Sequence, residues 1–191
     1  AITLADLTRQ SAFADRPRLT VAITGASGLV ASALIPFLTT AGHRVVRVRR
    51  KGQEINVEDL EGADAIVHLA GAGIADQRWS DEAKRLFVSS RVDFTRQLVT
   101  ALSKLSKRPA VLISGSATGL YGDRGDEWVD EQSVAGPRGT RGAEFLSALE
   151  EDTERQQIAL ATSPCPNAPN LLIDQHKLQI PQNVWFIGTA N

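Results

Sequence analysis

Cysteine is nearly absent from this chain: Cys165 stands alone among 191 residues, so no internal disulfide can form. A single thiol suits a reducing compartment, and a cytoplasmic location is the expectation. Cys165 sits in Ser-Pro-Cys-Pro-Asn, a loop-forming context that reads as an inert thiol rather than a nucleophile. No apolar run is long enough to span a membrane and no signal-peptide layout opens the sequence, so no membrane partner is expected. Long basic runs are missing too, and the formal net charge is -1, which argues against nucleic acid as the main partner. That leaves a small-molecule substrate as the expected partner, with a homodimer as the candidate assembly. A chain of this length can bury the core of one globular domain.

Against these absences stands the run Val21-Ala22-Ile23-Thr24-Gly25-Ala26-Ser27-Gly28-Leu29-Val30-Ala31. A β-branched strand stops at a glycine-rich turn and a helix opens directly after it. Gly25 allows the tight turn, and Gly28 lets a pyrophosphate approach the backbone with no Cβ in the way. The helix then points unpaired N–H groups at the anion. Gly25, Ala26, Ser27, Gly28, Leu29 and Val30 are therefore candidate cofactor-binding residues. Ala31 stands where a third glycine is usual, at a position that needs only a small residue for helix–strand packing. An ordinary strand–turn–helix connection is the competing reading.

Further strands are expected at His43–Val48, Ala65–Leu69 and Val111–Ser114, and helices after Gly28, over Asp81–Leu105 and over Gly142–Leu160. Pro36 is expected to kink the first helix, Gly42 to close it, and residues 51–62 to form a short polar connection. This alternation specifies an α/β fold with a doubly wound parallel sheet, its ligands lying across the carboxyl ends of the strands. The expected organisation is an extension or linker over residues 1–18, a dinucleotide-binding domain over 19–160 and an atypical tail over 161–191. The end of the second strand bears on cofactor choice. Arg49 and Arg50 follow it where an NAD enzyme places an acid for the ribose hydroxyls. A guanidinium grips a 2′-phosphate through paired, charge-assisted hydrogen bonds, so NADP is favoured over NAD. A solvated basic turn is the alternative.

The segments TGASGLVASALIPFLTTAGHRVVRVRR, DLEGADAIVHLAGAGIADQRW, SSRVDFTRQLV and LISGSATGLYGDRGDE occur in order from about Leu19 to Leu149. Together they resemble the epimerase-like, atypical branch of the extended short-chain dehydrogenase/reductases. The resemblance implies a Rossmann fold and an NADP-type cofactor, and leaves the substrate open. It places Leu69, Ala70 and Gly71 beside the nicotinamide ribose, and gives Arg91 a part in positioning cofactor or substrate, with a surface salt bridge as the alternative. His68 reads as a packed histidine rather than a catalyst.

Such reductases use a tyrosine, a lysine four residues later and an orienting hydroxyl. No Tyr-x-x-x-Lys occurs here; the sole tyrosine, Tyr121, is too early for the usual position and lies in a loop that borders the family's active site. Ser116 is the best match to the orienting hydroxyl, with Thr118 second. Where the family shows Phe-Leu-x-x-x-Cys-x-x-Trp-Glu, the chain reads Phe145 to Glu154, with Glu150 and Thr153 replacing cysteine and tryptophan. Glu150, Glu151 and Asp152 offer a carboxylate for proton transfer, although a charge run on a helix is ordinarily a solvated face.

After Ala161 the resemblance stops. The final stretch Ile180–Asn191 is similar to the sensor strand of AAA-type ATPases, but no Gly-x-x-x-x-Gly-Lys-Ser/Thr loop accompanies it, so ATP hydrolysis is not supported. Val184–Ile187 could add a strand to the sheet. Two functional readings follow: an NADP(H)-dependent oxidoreductase or epimerase-like enzyme, and a module that binds NADP(H) without turnover.

Overall fold

The computed structural model describes residues 17–51, 54–74, 78–130, 132–139, 141–162 and 184–189. In chain order the elements are β1 (Thr20–Thr24), α1 (Leu29–Thr40), β2 (Arg44–Arg47), β3 (Arg50–Lys51), β4 (Glu54–Ile55) and β5 (Ala65–His68). They continue with α2 (Asp81–Val88), α3 (Phe94–Ser103), β6 (Val111–Ala117), α4 (Gly142–Thr162) and β7 (Val184–Thr189). One five-stranded sheet runs β2-β1-β5-β6-β7, and every neighbouring pair in it is parallel. The expected doubly wound sheet is observed.

Both faces of this sheet are covered, which is why its inner strands read as continuous apolar runs rather than as alternation. Side chains still alternate along each strand. Val21, Ile23 and Val67 pack on Ala31 and Ile35 of α1. Ala22, Ile66 and Leu112 face the other way, onto Phe94, Leu98 and Leu102 of α3. The first helix runs on through Pro36. Proline removes only the bond to the Ser32 carbonyl, and Ser32 and Pro36 are both exposed, so water can take that carbonyl up. Gly42 ends the helix as expected, with His43 N–H donating to the Leu38 carbonyl at 3.0 Å.

Three expectations about element boundaries are corrected. The polar connection after β2 contains an antiparallel hairpin of β3 and β4 and a 3-10 turn at Val57–Asp59. The helix expected over Asp81–Leu105 is α2 and α3 joined by a π-helical stretch, Ser89–Asp93. The fourth expected strand runs on through Gly115 and Ser116 to Ala117, because β7 pairs with it from Leu112 with Val184 to Ala117 with Thr189. No helix among the described residues is long and apolar enough to cross a membrane. Cys165 and residues 1–16 lie outside the described residues.

His68 ties the layers together. Its ring lies between Thr24 Oγ1, 2.6 Å from Nδ1, and Thr95 Oγ1, 2.9 Å from Nε2, while Leu69 N–H donates to Thr24 Oγ1 at 3.2 Å. The sequence reading of a packed histidine agrees, and the partners it did not see are two buried threonines. One neutral tautomer satisfies all three groups, with Thr24 donating to Nδ1 and Nε2–H donating to Thr95. Complete burial pushes the ring's pKa down from 6.5 to about 4. The unfolded chain therefore takes up a proton before the folded one does. This costs nothing at pH 7 and destabilises the fold as pH falls from 6.5 through 4. We predict that the stability of wild type minus that of His68→Gln declines by about 3 kcal/mol across that window, measured by urea unfolding at a series of pH values. A constant difference would contradict the buried neutral ring.

Candidate functional site

The glycine turn is built on backbone contact. Gly25 has φ +67, and a Cβ there would lie 2.6 Å from the Leu69 carbonyl oxygen, so the turn rests directly on the end of β5. Gly28 closes the turn by donating to the Gly25 carbonyl at 2.9 Å, and its own φ of -73 is one any residue adopts. No side chain caps α1 and no acidic residue stands in its first turn. Ser32 makes the first bond back, to Gly28, so the N–H groups of Leu29, Val30 and Ala31 find no acceptor within the helix. The positive end of the helix dipole is thus directed at the surface. Leu29 is 90% exposed there, whereas Ala31 is buried against the strand, which explains why a small residue is needed at that position. Ala26 is half-buried and Ser27 exposed on the same turn.

Arg49 follows β2 and is not a free basic residue. Its backbone N–H, Nε and Nη2 all donate to the Asp59 carboxylate, at 2.8, 3.0 and 2.6 Å. That grip holds the Asp59 pKa at about 2. The Arg49 side chain remains 71% exposed, so one edge of the guanidinium is clamped and the other faces water. Arg50 turns away and lies over the Phe94 ring, 4.4 Å from its centroid. Asp59 went unseen in the sequence because it reaches Arg49 only once the β3–β4 hairpin folds back.

Beyond β5, the Leu69-Ala70-Gly71 segment runs beside the π-helical stretch. Ala72 N–H donates to Ser90 Oγ at 3.0 Å, and Arg91 Nη1 donates to the Ala72 carbonyl at 2.8 Å. Arg91 does not form the surface salt bridge named as its alternative. It is largely buried, with Nε 3.6 Å from Glu150 Oε1, and Glu150 is only 4% exposed. Burial lowers the Arg91 pKa and raises that of Glu150, and each charge opposes the shift of the other. The expected solvated face therefore holds for Asp152, which pairs with Arg138, and fails for Glu150; Glu151 is covered by Arg138 and Arg155, which both pair with it. Thr153, the other replaced position, is buried and donates to the Leu149 carbonyl at 2.8 Å.

Ser116 lies within β6 rather than after it, and its hydroxyl donates to Glu154 Oε1 at 2.7 Å. Thr118 and Tyr121 bound the following 3-10 turn, Thr118 exposed and Tyr121 half-buried. That turn is braced from α4, where Ser147 Oγ lies 2.8 Å from the Leu120 carbonyl and 2.9 Å from that of Gly136. Two carboxylates, Glu150 and Glu154, thus line the same site one helical turn apart. The signal for them was their spacing of four and eight residues from the apolar Leu146, on the same helix face. Among the described residues no His/Cys/Asp/Glu group could hold a metal ion.

The two turn glycines have separable roles. We predict that Gly25→Ala lowers stability by at least about 1–2 kcal/mol, the cost of a left-handed side chain, with the clash on Leu69 added. Gly28→Ala meets only the Gly25 carbonyl, at 3.2 Å, and should leave the melting temperature nearly unchanged. Equal melting temperatures for the two variants would contradict this.

Comparison with known proteins agrees with this geometry. The profile of the NAD dependent epimerase/dehydratase family matches residues 21–143. An epimerase family protein of Mycobacterium bovis is 37% identical over 129 residues, covering 61% of this chain and 42% of that protein. The epimerase family protein YfhF of Bacillus subtilis is 30% identical over 145 residues, covering 68% of this chain and 46% of its own length. The nucleoside-diphosphate sugar epimerase of Corynebacterium glutamicum superposes with a TM-score of 0.64 at 32% identity, over 83% of this chain and 34% of that one. The human epimerase family protein SDR39U1 (isoform 2), solved with NADPH, gives 0.63 at 27%, over 72% and 48%. The chain spans less than half the length of each of these proteins. The matched residues run from the first strand to the start of α4 and carry the whole frame of the glycine turn, so the chain belongs to the NAD dependent epimerase/dehydratase family.

Proposed function

We propose that this chain works as an NADP(H)-dependent oxidoreductase or epimerase-like enzyme on a carbonyl, hydroxyl or nucleotide-sugar substrate. The observation that carries the reading is the uncapped N-terminus of α1 behind the Gly25–Gly28 turn, with Leu29 left exposed beside it. A cradle of this kind fits a pyrophosphate: amides point outward, the dipole favours an anion, and Gly28 presents no Cβ. Gly25, Ala26, Ser27, Gly28, Leu29 and Val30 would hold the diphosphate. The backbone of Leu69, Ala70 and Gly71 would line the nicotinamide ribose, braced from behind by Arg91 through Ala72. When bound, the cofactor supplies a hydride donor or acceptor.

Arg49 is the residue that favours NADP over NAD. Asp59 fixes one edge of its guanidinium, and the exposed edge is then pre-oriented for a 2′-phosphate. The human relative's structure with NADPH supports this choice. Ser116, Thr118 and Tyr121 border the carboxyl end of β6 and would meet the substrate. A second reading, a module that binds NADP(H) without turnover, draws on one observation: the Ser116 proton is already engaged by Glu154.

Titration of nicotinamide fluorescence tests the proposal. Wild type is expected to bind NADPH more tightly than NADH, and Gly28→Val to lose both while staying folded. Arg49→Asp should weaken NADPH by roughly 10-fold or more, the worth of a hydrogen bond to a charged group, and change NADH little. Equal losses for the two cofactors would remove Arg49 from the 2′-phosphate site. A folded wild type that binds neither would overturn the function.

A further inference from the structure

We propose that Glu154 is the proton-exchanging partner of this site, acting through Ser116 Oγ where the chain has no tyrosine–lysine pair. The inference rests on the oxidoreductase reading above, and deepens it by naming where the proton goes. Its basis is the 2.7 Å bond from Ser116 Oγ on β6 to Glu154 Oε1 on α4.

A carboxylate can only accept hydrogen bonds, and a serine hydroxyl has one proton to give. While Glu154 is ionised, the Ser116 proton is directed at it, and the remaining lone pair of Ser116 Oγ can receive a proton from a substrate alcohol. When Glu154 is protonated, its O–H donates to Ser116, and the Ser116 hydroxyl is released to donate to a carbonyl oxygen. One pair of side chains thereby serves both directions of the reaction. In oxidation, the substrate O–H proton passes to Ser116 Oγ while the Ser116 proton passes to the Glu154 carboxylate. The electron pair of the substrate C–H bond leaves as hydride to a bound oxidised nicotinamide, and the carbon–oxygen bond becomes double. Reduction runs the same transfers backward from protonated Glu154.

The surroundings favour the protonated form of the Glu154 carboxyl over what water would allow. Burial raises the Glu154 pKa, the Ser116 bond lowers it, and the charge of Glu151 raises it again. Opposing cations are engaged elsewhere. Arg91, from the π-helical stretch, pairs with Glu150 one turn earlier on α4. Arg138 and Arg155 pair with Glu151. Arg96 of α3 reaches Asp93 and the amide oxygen of Gln156. A purely structural partner for Ser116 needs no ionisable group, since an amide would accept the same bond without the cost of desolvating a carboxylate.

Two readouts on the full chain test this. In the first, carbon NMR follows the side-chain carboxyl of Glu154 with pH, assigned by its loss in Glu154→Gln. The expected midpoint lies above the ordinary glutamate value and rises further in Ser116→Ala, which removes the bond that favours the ionised form. In the second, NADPH-dependent reduction of phenanthrenequinone and nitrobenzaldehyde is measured against pH. The wild-type rate should fall as pH rises through the NMR midpoint. Glu154→Gln should lower kcat on the order of 100-fold, flatten that pH dependence and leave NADPH affinity unchanged, while the outward-facing Asp152→Asn behaves as wild type. An ordinary Glu154 midpoint, or a Glu154→Gln protein with wild-type rate and pH profile, overturns the relay and leaves the oxidoreductase reading standing. A wild type that binds NADPH and reduces neither probe overturns both.

Discussion

The approach of the Gly25 turn to the Leu69 carbonyl is the contact on which the site depends. Two backbones meet there with no side chain between them, since a Cβ on Gly25 would fall 2.6 Å from the carbonyl oxygen. This closeness sets where α1 begins and aims its free amides along the carboxyl edge of the sheet. It also brings β1 and β5 near enough for Thr24 to reach His68, and through the His68 ring the sheet is tied to Thr95 of α3. A change in the turn is therefore felt at the start of α1, in the loop after β5 and in the packing of α3 together.

Burial of charge is the second theme. Burying a carboxylate is unfavourable unless a partner answers it, and the site contains three such carboxylates with different answers. Asp59 is neutralised by three donors from Arg49 and stays ionised well below the ordinary range. Glu150 has one arginine at 3.6 Å, which tempers the effect of burial without cancelling it. Glu154 has only a serine hydroxyl among its bonded partners described here, and its proton is held more readily for that reason. The ordering from Asp59, fixed as an anion by Arg49, to the more readily protonated Glu154 beside β6 follows from these partners alone.

The turn and the doubly wound sheet were legible in the sequence because glycine placement and apolar runs encode them locally. Ala31 could be read as a helix-packing residue for the same reason. The length of β6 was not legible: Gly115 and Ser116 look like loop residues until β7, more than sixty positions later, pairs with them. Glu150 was hidden inside an acidic run, and its partner Arg91, placed by a π-helical turn, distinguishes it from Glu151 and Asp152, which pair with Arg138. Asp59 was invisible because its tie to Arg49 depends on a hairpin too short to leave a pattern. What escaped the sequence was in each case a contact between segments, whereas what it carried was the conformation of a single segment.

In the proposed function, the amides of the Gly25–Ala31 turn and the backbone after β5 form one dinucleotide cradle. Backbone proton–nitrogen correlation spectra recorded during titration with NADPH test it most directly. The largest shifts are expected on Gly28, Leu29, Val30 and Ala31, with a second group at Leu69 to Ala72 and a third at Arg49. Shifts absent from the start of α1, with the ligand nonetheless bound, would contradict it.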